Sequence, residues 1–175
     1  VKTAEDLLLG AVLTLLLLPV LGLVALAIRL DGPGPILYRQ RRHALNNHEF
    51  DIFKFRTMRW NPSGDGGVLT QTERGDPRIT RVGGFLRAWS LDELPQLFNV
   101  LQGTMSLVGP RPHATQMRTE DRLGSEISGE YAHRHRVKPG ITGWAQVNGA
   151  RGATDTAAQL QRRIDLDLFY VEHWS

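Results

Sequence analysis

From Leu7 to Ile28 the chain is apolar and carries no charged side chain, with only Gly10, Thr14, Pro19 and Gly22 interrupting the run. As a helix these residues span roughly 33 Å, against about 30 Å for the hydrocarbon core of a bilayer. A chain of 175 residues has little room to surround such a helix, so a membrane segment is favoured over a buried core helix. A secretory signal fits poorly: Lys2 is offset by Glu5 and Asp6, and the run passes into Arg29-Leu30-Asp31 without a small-residue cleavage site. Pro19 lies near the middle, where it removes a backbone hydrogen bond and crowds the preceding turn, so a kink is expected. A kinked helix can cross the bilayer, or dip in and return to the side it left. Arg29, Arg39, Arg41 and Arg42 follow the run and place that end, with the polar remainder, in the cytoplasm.

Asp31-Gly32-Pro33-Gly34-Pro35 stops the helix sharply. Ile36 to Gln40 reads as a short strand, and Phe50 to Met58 as a second extended segment. In a strand Lys54 and Arg56 project from one face and Phe53 and Phe55 from the other, so the two cations either meet an anion together or face solvent. Asn61 to Gly67 is a loop, and a short helix ending at Arg87 would show Val82, Phe85, Leu86 and Trp89 on its apolar face. Leu94, Leu97, Phe98 and Leu101 recur at helical spacing and are assigned to the core. Met105 to Pro112 is extended and holds Arg111 between two prolines. A polar helical region is expected from about His113 to His135, and Val137 to Gly149 is extended and rich in turn residues. Thr154 to Trp174 is an amphipathic helix with Ala157, Leu160, Ile164, Leu168 and Val171 as its stripe and Arg162, Arg163, Asp165 and Asp167 around it.

The chemistry centres on Ser90-Leu91-Asp92-Glu93-Leu94-Pro95-Gln96, two adjacent carboxylates at a helix start. Arg74, Arg78, Arg81 and Arg87 precede it, and Gly109-Pro110-Arg111-Pro112 follows. Ser90 and Glu93 fit a capping box, which is the structural reading of the same residues. A helix N-terminus also binds phosphate and keeps a nearby carboxylate ionised. Without cysteine the chain has neither disulfides nor thiolate chemistry. Its 21 basic and 18 acidic residues suit anionic headgroups or phosphate ligands and are too evenly matched to indicate nucleic acid. His113, His133 and His135 do not make a zinc pattern. Arginine forks recognise phosphate oxygens, and a diphosphate needs several of them together with a divalent metal such as Mg²⁺, which prefers carboxylate oxygen. One member of the acidic pair can hold metal while the other attacks phosphorus; attack by aspartate gives an acyl phosphate and divides a transfer into two steps.

Four motifs stand in order: Lys54-Phe55-Arg56-Thr57-Met58, Ser90 to Gln96, Gly109-Pro110-Arg111-Pro112-His113-Ala114, and Val137-Lys138-Pro139-Gly140-Ile141-Thr142-Gly143-Trp144-Ala145-Gln146-Val147-Asn148-Gly149. Together, and over essentially the whole chain, they resemble the bacterial sugar transferase family, the monotopic phosphoglycosyl transferases that begin exopolysaccharide and glycoconjugate assembly. The Arg-Pro-His-Ala continuation and the stretch from Arg151 to Thr156 are most similar to its undecaprenyl-phosphate glucose phosphotransferase branch. The resemblance implies that Asp92 is the nucleophile on the β-phosphate of a UDP-sugar, releasing UMP and leaving a covalent sugar phosphate that undecaprenyl phosphate then takes. It implies that Glu93 holds Mg²⁺, that Lys54, Arg56, Arg87 and Arg111 bind substrate phosphate, and that Arg151 reaches the nucleotide. Pro19 matches the family's helix-breaking proline in a re-entrant hairpin and favours the dip over the span. The residue before it is Leu18, where some members carry Ser.

The expected fold is therefore α+β and mostly helical. Residues 1–31 form a re-entrant membrane helix-break-helix, and residues 32–175 form a small cytoplasmic catalytic domain with short strands and amphipathic surface helices. The expected location is the bacterial inner membrane, with the catalytic domain on its cytoplasmic face and membrane lipids as neighbours; a homo-oligomer is compatible with the sequence. Family members usually continue past the position of Ser175, and long forms carry further membrane helices and a domain before the catalytic region, so an excerpt of a longer protein is expected. Two other readings stand beside this one. A metal-dependent nucleotide-sugar pyrophosphate hydrolase would use the acids and arginines but leave the apolar run without a task. A non-catalytic membrane scaffold would use the acids only as a cap.

Overall fold

The computed structural model describes residues 1–43, 48–61, 75–112, 118–119, 122–152, 154 and 156–174. The chain is α+β and mostly helical, with small sheets and one long apolar helix, α1 (Lys2–Asp31). By length and composition α1 could cross a membrane. The sequence led us to expect two helices separated by a break, whereas the helix runs through Pro19 without interruption. A single proline removes only its own N–H, and the leucine-rich turns on either side supply the remaining hydrogen bonds.

Only one stripe of α1 is buried, at Asp6, Gly10, Thr14, Leu21, Val24 and Ile28. Leu8, Leu15, Leu16, Leu23 and Leu30 are exposed. Leu21, Val24 and Ile28 form a core cluster with Phe55 and Leu86, so the C-terminal half of α1 and the remainder of the chain share one hydrophobic centre. At the other end, Ser106 Oγ donates to Asp6 Oδ2 at 2.8 Å and the Leu107 N–H to Asp6 Oδ1 at 3.0 Å. Gly10 lies against Val100, where an added Cβ would come within 3.1 Å of a methyl group.

After the Gly-Pro breaker, β1 (Leu37–His43) and β2 (Glu49–Phe55) form an antiparallel hairpin, with Tyr38 opposite Lys54 and Gln40 opposite Ile52. α2 (Arg81–Ala88) starts on a Thr80 cap, whose Oγ1 accepts from the Gly83 N–H at 2.9 Å. Its first turn rests on the end of the hairpin; a Cβ on Gly83 would lie 2.0 Å from the Thr57 carbonyl oxygen. Leu86 is buried as expected, but Phe85 and Trp89, 59% and 70% exposed, are not core. α3 (Gln96–Leu101) buries Leu97 and Val100, and with them Gln96 and Asn99, while Phe98 faces outward. Asn99 has a reason to be inside: its Oδ1 accepts from the Phe53 N–H at 3.0 Å and its Nδ2 donates to the Asp51 carbonyl at 2.8 Å, satisfying the free edge of β2.

Two motifs far apart in sequence then meet. β3 (Ser106–Val108) pairs in parallel with β6 (Gly140–Thr142), so the Gly-Pro-Arg-Pro and Lys-Pro-Gly-Ile-Thr-Gly stretches lie side by side. The approach is backbone to backbone: a Cβ on Gly140 would lie 2.1 Å from the Gly109 nitrogen, and one on Gly143 would lie 2.2 Å from the Gly109 oxygen. Between these strands a polar helical region is expected from about His113 to His135, of which 113–117 and 120–121 lie outside the described residues. The described residues there are a short antiparallel pair, β4 (Arg118–Thr119) and β5 (Arg122–Leu123), one turn of helix α4 (Gly124–Ile127), and a 3₁₀ segment at Tyr131–Arg136. Gly143 to Val147 is likewise not all extended, since Trp144–Val147 makes a turn of helix, α5.

The last helix, α6 (Ala157–His173), begins on a capping box between Thr156 and Gln159. Its buried face is Leu160, Arg163, Ile164 and Asp167, rotated from the expected apolar stripe. The rotation follows from pairing: Asp167 and Arg134, each 1% exposed, form an ion pair at 2.5 Å. Arg163 donates to the Ala150 and Gly152 carbonyls at 3.0 and 2.8 Å. Polar side chains with partners take interior positions that a hydrophobic pattern assigns to leucine and valine.

Candidate active site

The acidic pair sits on a single 3₁₀ turn, Leu91–Glu93. Residues three apart eclipse in a 3₁₀ turn, so Leu91 and Leu94 fall on one side. Both pack against the cluster that includes Leu21, Val24 and Ile28 of α1. Asp92 and Glu93 project away from that side. Ser90 opens the turn in the left-handed region, φ 56° and ψ 23°, the only non-glycine residue with positive φ among those described. In that conformation it makes no side-chain cap, so the expected Ser90–Glu93 capping box is not formed. Its hydroxyl instead accepts from Arg151 Nη2.

Glu93 is the most heavily engaged group. Lys54 Nζ lies 3.0 Å from Oε1, Arg111 Nη1 lies 3.0 Å from Oε2, and Arg111 Nη2 donates to Oε1. Burial alone would raise the Glu93 carboxyl, but the Arg111 hydrogen bonds and the charges of Arg111 and Lys54 outweigh it and hold the group at about 2. Asp92 moves the other way. Burial pushes it up, and the Glu93 charge adds to that, while Lys54 and Arg87 oppose it. The same burial lowers Lys54, against the pull of Glu93. Among the described residues Asp92 makes no hydrogen bond to another side chain. The two neighbouring acids thus differ in kind: one is locked in ion pairs, the other is half-buried and available.

The Glu93 carboxyl, ordinarily 4.5, is lowered by folding, so its contribution to stability is complete above about 4.5 and is lost as the pH falls through about 2. We expect thermal unfolding followed between pH 2 and 5 to show a pH dependence that is reduced in Glu93→Gln. Asp92, being raised, should set the acid limb of activity above pH 3.8. Lys54→Met should move that limb further up, because the cation that favours the Asp92 carboxylate is removed.

The arginines do not converge as a group. Arg111 joins the pair, held from behind by Arg134, whose Nη2 donates to the Arg111 carbonyl at 2.8 Å. Arg87 is within electrostatic reach of Asp92, and its Nε donates to Thr57 Oγ1 at 2.8 Å. Arg151 reaches the same turn from the loop after α5 through Ser90. Arg56, by contrast, is spent elsewhere: its guanidinium donates to the carbonyls of Ile28 at 3.1 Å, Gly32 at 2.8 Å and Pro33, at the C-terminal end of α1. Lys54 and Arg56 therefore do not share a partner: Lys54 turns to Glu93 and Arg56 to the end of α1. Arg78 is paired with Asp76 at 2.7 Å; Arg74, His113 and Ala114 lie outside the described residues.

Two contributors escaped the sequence reading. Arg42, taken there as part of a basic flank, lies on β1 within the electrostatic field of Glu93 and Arg111, and burial lowers it to about 10. Arg134 stands between His133 and His135 and is not among the candidate residues of the sequence. The alternation of Tyr38, Gln40 and Arg42 along one strand face was the available signal for the first. No local signal marks the second, whose partner is 33 residues away.

In kind, the acidic pair suits Mg²⁺, which takes one or two carboxylates beside substrate phosphates. Among the described residues no group of three or more His, Asp or Glu side chains gathers to hold a metal alone, so such an ion would draw its remaining ligands from the substrate and water.

Fold and site define a small α+β protein built on an apolar helix, with a cation-rich acidic site suited to phosphate chemistry. The family model described as bacterial sugar transferase matches residues 1–175, and the chain belongs to that family. It is 55% identical over 99% of its length to "Undecaprenyl-phosphate glucose phosphotransferase" of Komagataeibacter xylinus, covering 32% of that protein. It is 48% identical to "UDP-glucose:undecaprenyl-phosphate glucose-1-phosphate transferase" of Escherichia coli (strain K12), over 99% of this chain and 36% of the relative. To the protein of the same name in Caulobacter vibrioides it is 51% identical, over 99% of this chain and 63% of that one. The chain thus spans between about a third and two thirds of the length of these curated relatives.

Proposed function

We propose that this chain carries the catalytic site of a phosphoglycosyl transferase that moves a hexose-1-phosphate, glucose first among candidates, from a UDP-sugar to undecaprenyl phosphate. The observation that carries the reading is the turn at 91–93. It holds an available Asp92 beside a Glu93 locked by Lys54 and Arg111, on a turn whose leucines seat it on α1. Asp92 Oδ attacks the β-phosphorus of the donor, the bond from that phosphorus to the bridging oxygen breaks, and UMP leaves with the electron pair. An oxygen of the lipid phosphate then attacks the same phosphorus, the acyl phosphate bond breaks, and the Asp92 carboxylate is restored. Lys54, Arg87 and Arg111 offset charge on the phosphoryl group, and Arg151 orients the nucleotide. Mg²⁺, held by Glu93 and the diphosphate, would spread the donor's charge; Glu93 has to yield one of its present ion-pair contacts to take it.

The same reading puts α1 in one leaflet of the inner membrane, with the site on the cytoplasmic face. Support comes from the contacts at its two ends. Asp6 is bonded to Ser106 and Leu107, and Ile28 packs with Phe55 and Leu86. The 22 intervening steps of helix cover roughly 33 Å, about a hydrocarbon thickness. A helix crossing upright would have to give up one set of contacts, whereas one lying along the body with its exposed leucines in lipid keeps both. The names of the relatives add the donor and the lipid acceptor.

The test is to incubate purified protein with Mg²⁺ and a panel of UDP-sugars, without lipid, and weigh the intact chain. A hexose-phosphate increment mapped to Asp92 is expected. Turnover of UDP-sugar with no increment at any time would favour hydrolysis, and no turnover would favour a scaffold.

A further inference from the structure

The register of the hairpin returns one more cation to the site. Tyr38 stands directly opposite Lys54, so the β1 face bearing Tyr38, Gln40 and Arg42 is the face from which Lys54 reaches Glu93. Arg42 Nη2 donates to Gln40 Oε1 at 2.5 Å, which orients the guanidinium along this face. Its Nε is buried and has no hydrogen-bond partner among the described residues. A buried N–H without an acceptor, on a cation beside two other cations, is a costly arrangement unless a ligand supplies the acceptor. Glu93 does not fill that role, since its oxygens hold Arg111 and Lys54. Among the described residues the carboxylates facing Arg42, Lys54, Arg87 and Arg111 are Asp92 and Glu93, four positive charges against two negative, leaving positive charge for an anion of about two negative charges.

We propose that Arg42 is a substrate-binding residue, a third cation of the cradle formed with Lys54 and Arg111, which donates to a phosphate oxygen. The inference rests on the transfer reading above for the identity of the ligand, either the donor diphosphate or the phosphate of the lipid acceptor. Gln40 is the positioning residue that aims it.

Arg42→Met, Arg42→Gln and Arg42→Lys in the full chain separate these sources. Three quantities are measured: adduct formation from UDP-glucose without lipid, discharge of the isolated adduct by undecaprenyl phosphate, and equilibrium binding of UDP. A contact to the donor predicts that Arg42→Met raises the KM for adduct formation and the Kd for UDP about tenfold or more, the loss of a charge-assisted hydrogen bond, with discharge little changed. A contact to the acceptor predicts the reverse. In both cases Arg42→Lys should recover most of the loss and Arg42→Gln should not, because charge rather than packing is at issue. The proposal is overturned if Arg42→Met folds with an unchanged Tm and alters none of the three. It is equally overturned if Lys, Gln and Met variants lose activity together with Tm, as a structural role requires. Should wild-type protein form no adduct, the transfer reading fails and the acceptor arm with it; a raised Kd for UDP in Arg42→Met then still supports the phosphate contact, and an unchanged one overturns it.

Discussion

Replacing Asp92 with asparagine is expected to lower sugar-phosphate transfer by roughly 10⁶-fold, the scale on which removal of a nucleophile is felt, and to abolish the covalent adduct. The amide matches the carboxylate in size, so the turn at 91–93, seated by Leu91 and Leu94, should be undisturbed. The ion pairs of Glu93 with Lys54 and Arg111 do not involve position 92. Burial disfavours the charged form of Asp92, and an uncharged side chain removes that cost. The variant should therefore unfold at the wild-type temperature or slightly above it, the usual relation between a strained functional group and stability. Loss of activity with an unchanged or raised Tm is the expected pair of results. Retention of most of the transfer rate in Asp92→Asn would exclude this residue as nucleophile.

The second large effect is expected at a distance from the chemistry. Asp167→Asn should destabilise the protein by about 3–5 kcal/mol, because it leaves Arg134 as a buried cation without its counter-charge. For a chain of this size that corresponds to a fall in Tm on the order of 10 °C. The double variant Arg134→Met, Asp167→Leu should recover much of the stability, since replacing both members of a buried pair by apolar side chains is often neutral. It should not recover full activity. Arg134 also holds the Arg111 carbonyl at 2.8 Å, and without that contact the arginine that grips Glu93 loses its support from behind. Differential scanning fluorimetry and adduct kinetics on the two variants check both halves. Equal stability of Asp167→Asn and wild type would show that the pair contributes nothing to the fold.

Much of this molecule is legible from short stretches of sequence, and the misreadings have a common cause. The apolar run, the Gly-Pro stop, the hairpin strands and the last helix are local patterns of period and punctuation, and each forms within a few residues of its expected bounds. The motif carrying Asp92 and Glu93 was recognisable for the same reason. Errors arose where a side chain's partner lies far along the chain. Phe85, Trp89 and Phe98 are apolar yet exposed, while Asn99, Arg163 and Asp167 are polar yet buried. Arg56 resembled a phosphate ligand because it neighbours Lys54, but the end of α1 consumes its donors. Ser90 resembled a cap, but a left-handed backbone turns it toward Arg151.

By itself the sequence determined that a long apolar helix precedes a polar body and that two adjacent carboxylates with basic neighbours stand at the start of a helical turn. Those properties depend on residues a few positions apart. Only the tertiary structure decided that Glu93 is locked by Lys54 and Arg111 while Asp92 stays available, that Arg42 shares the strand face from which Lys54 reaches Glu93, and that α1 lies along the body from Asp6 to Ile28. These depend on contacts between residues tens of positions apart, whose geometry no local pattern of period or charge encodes.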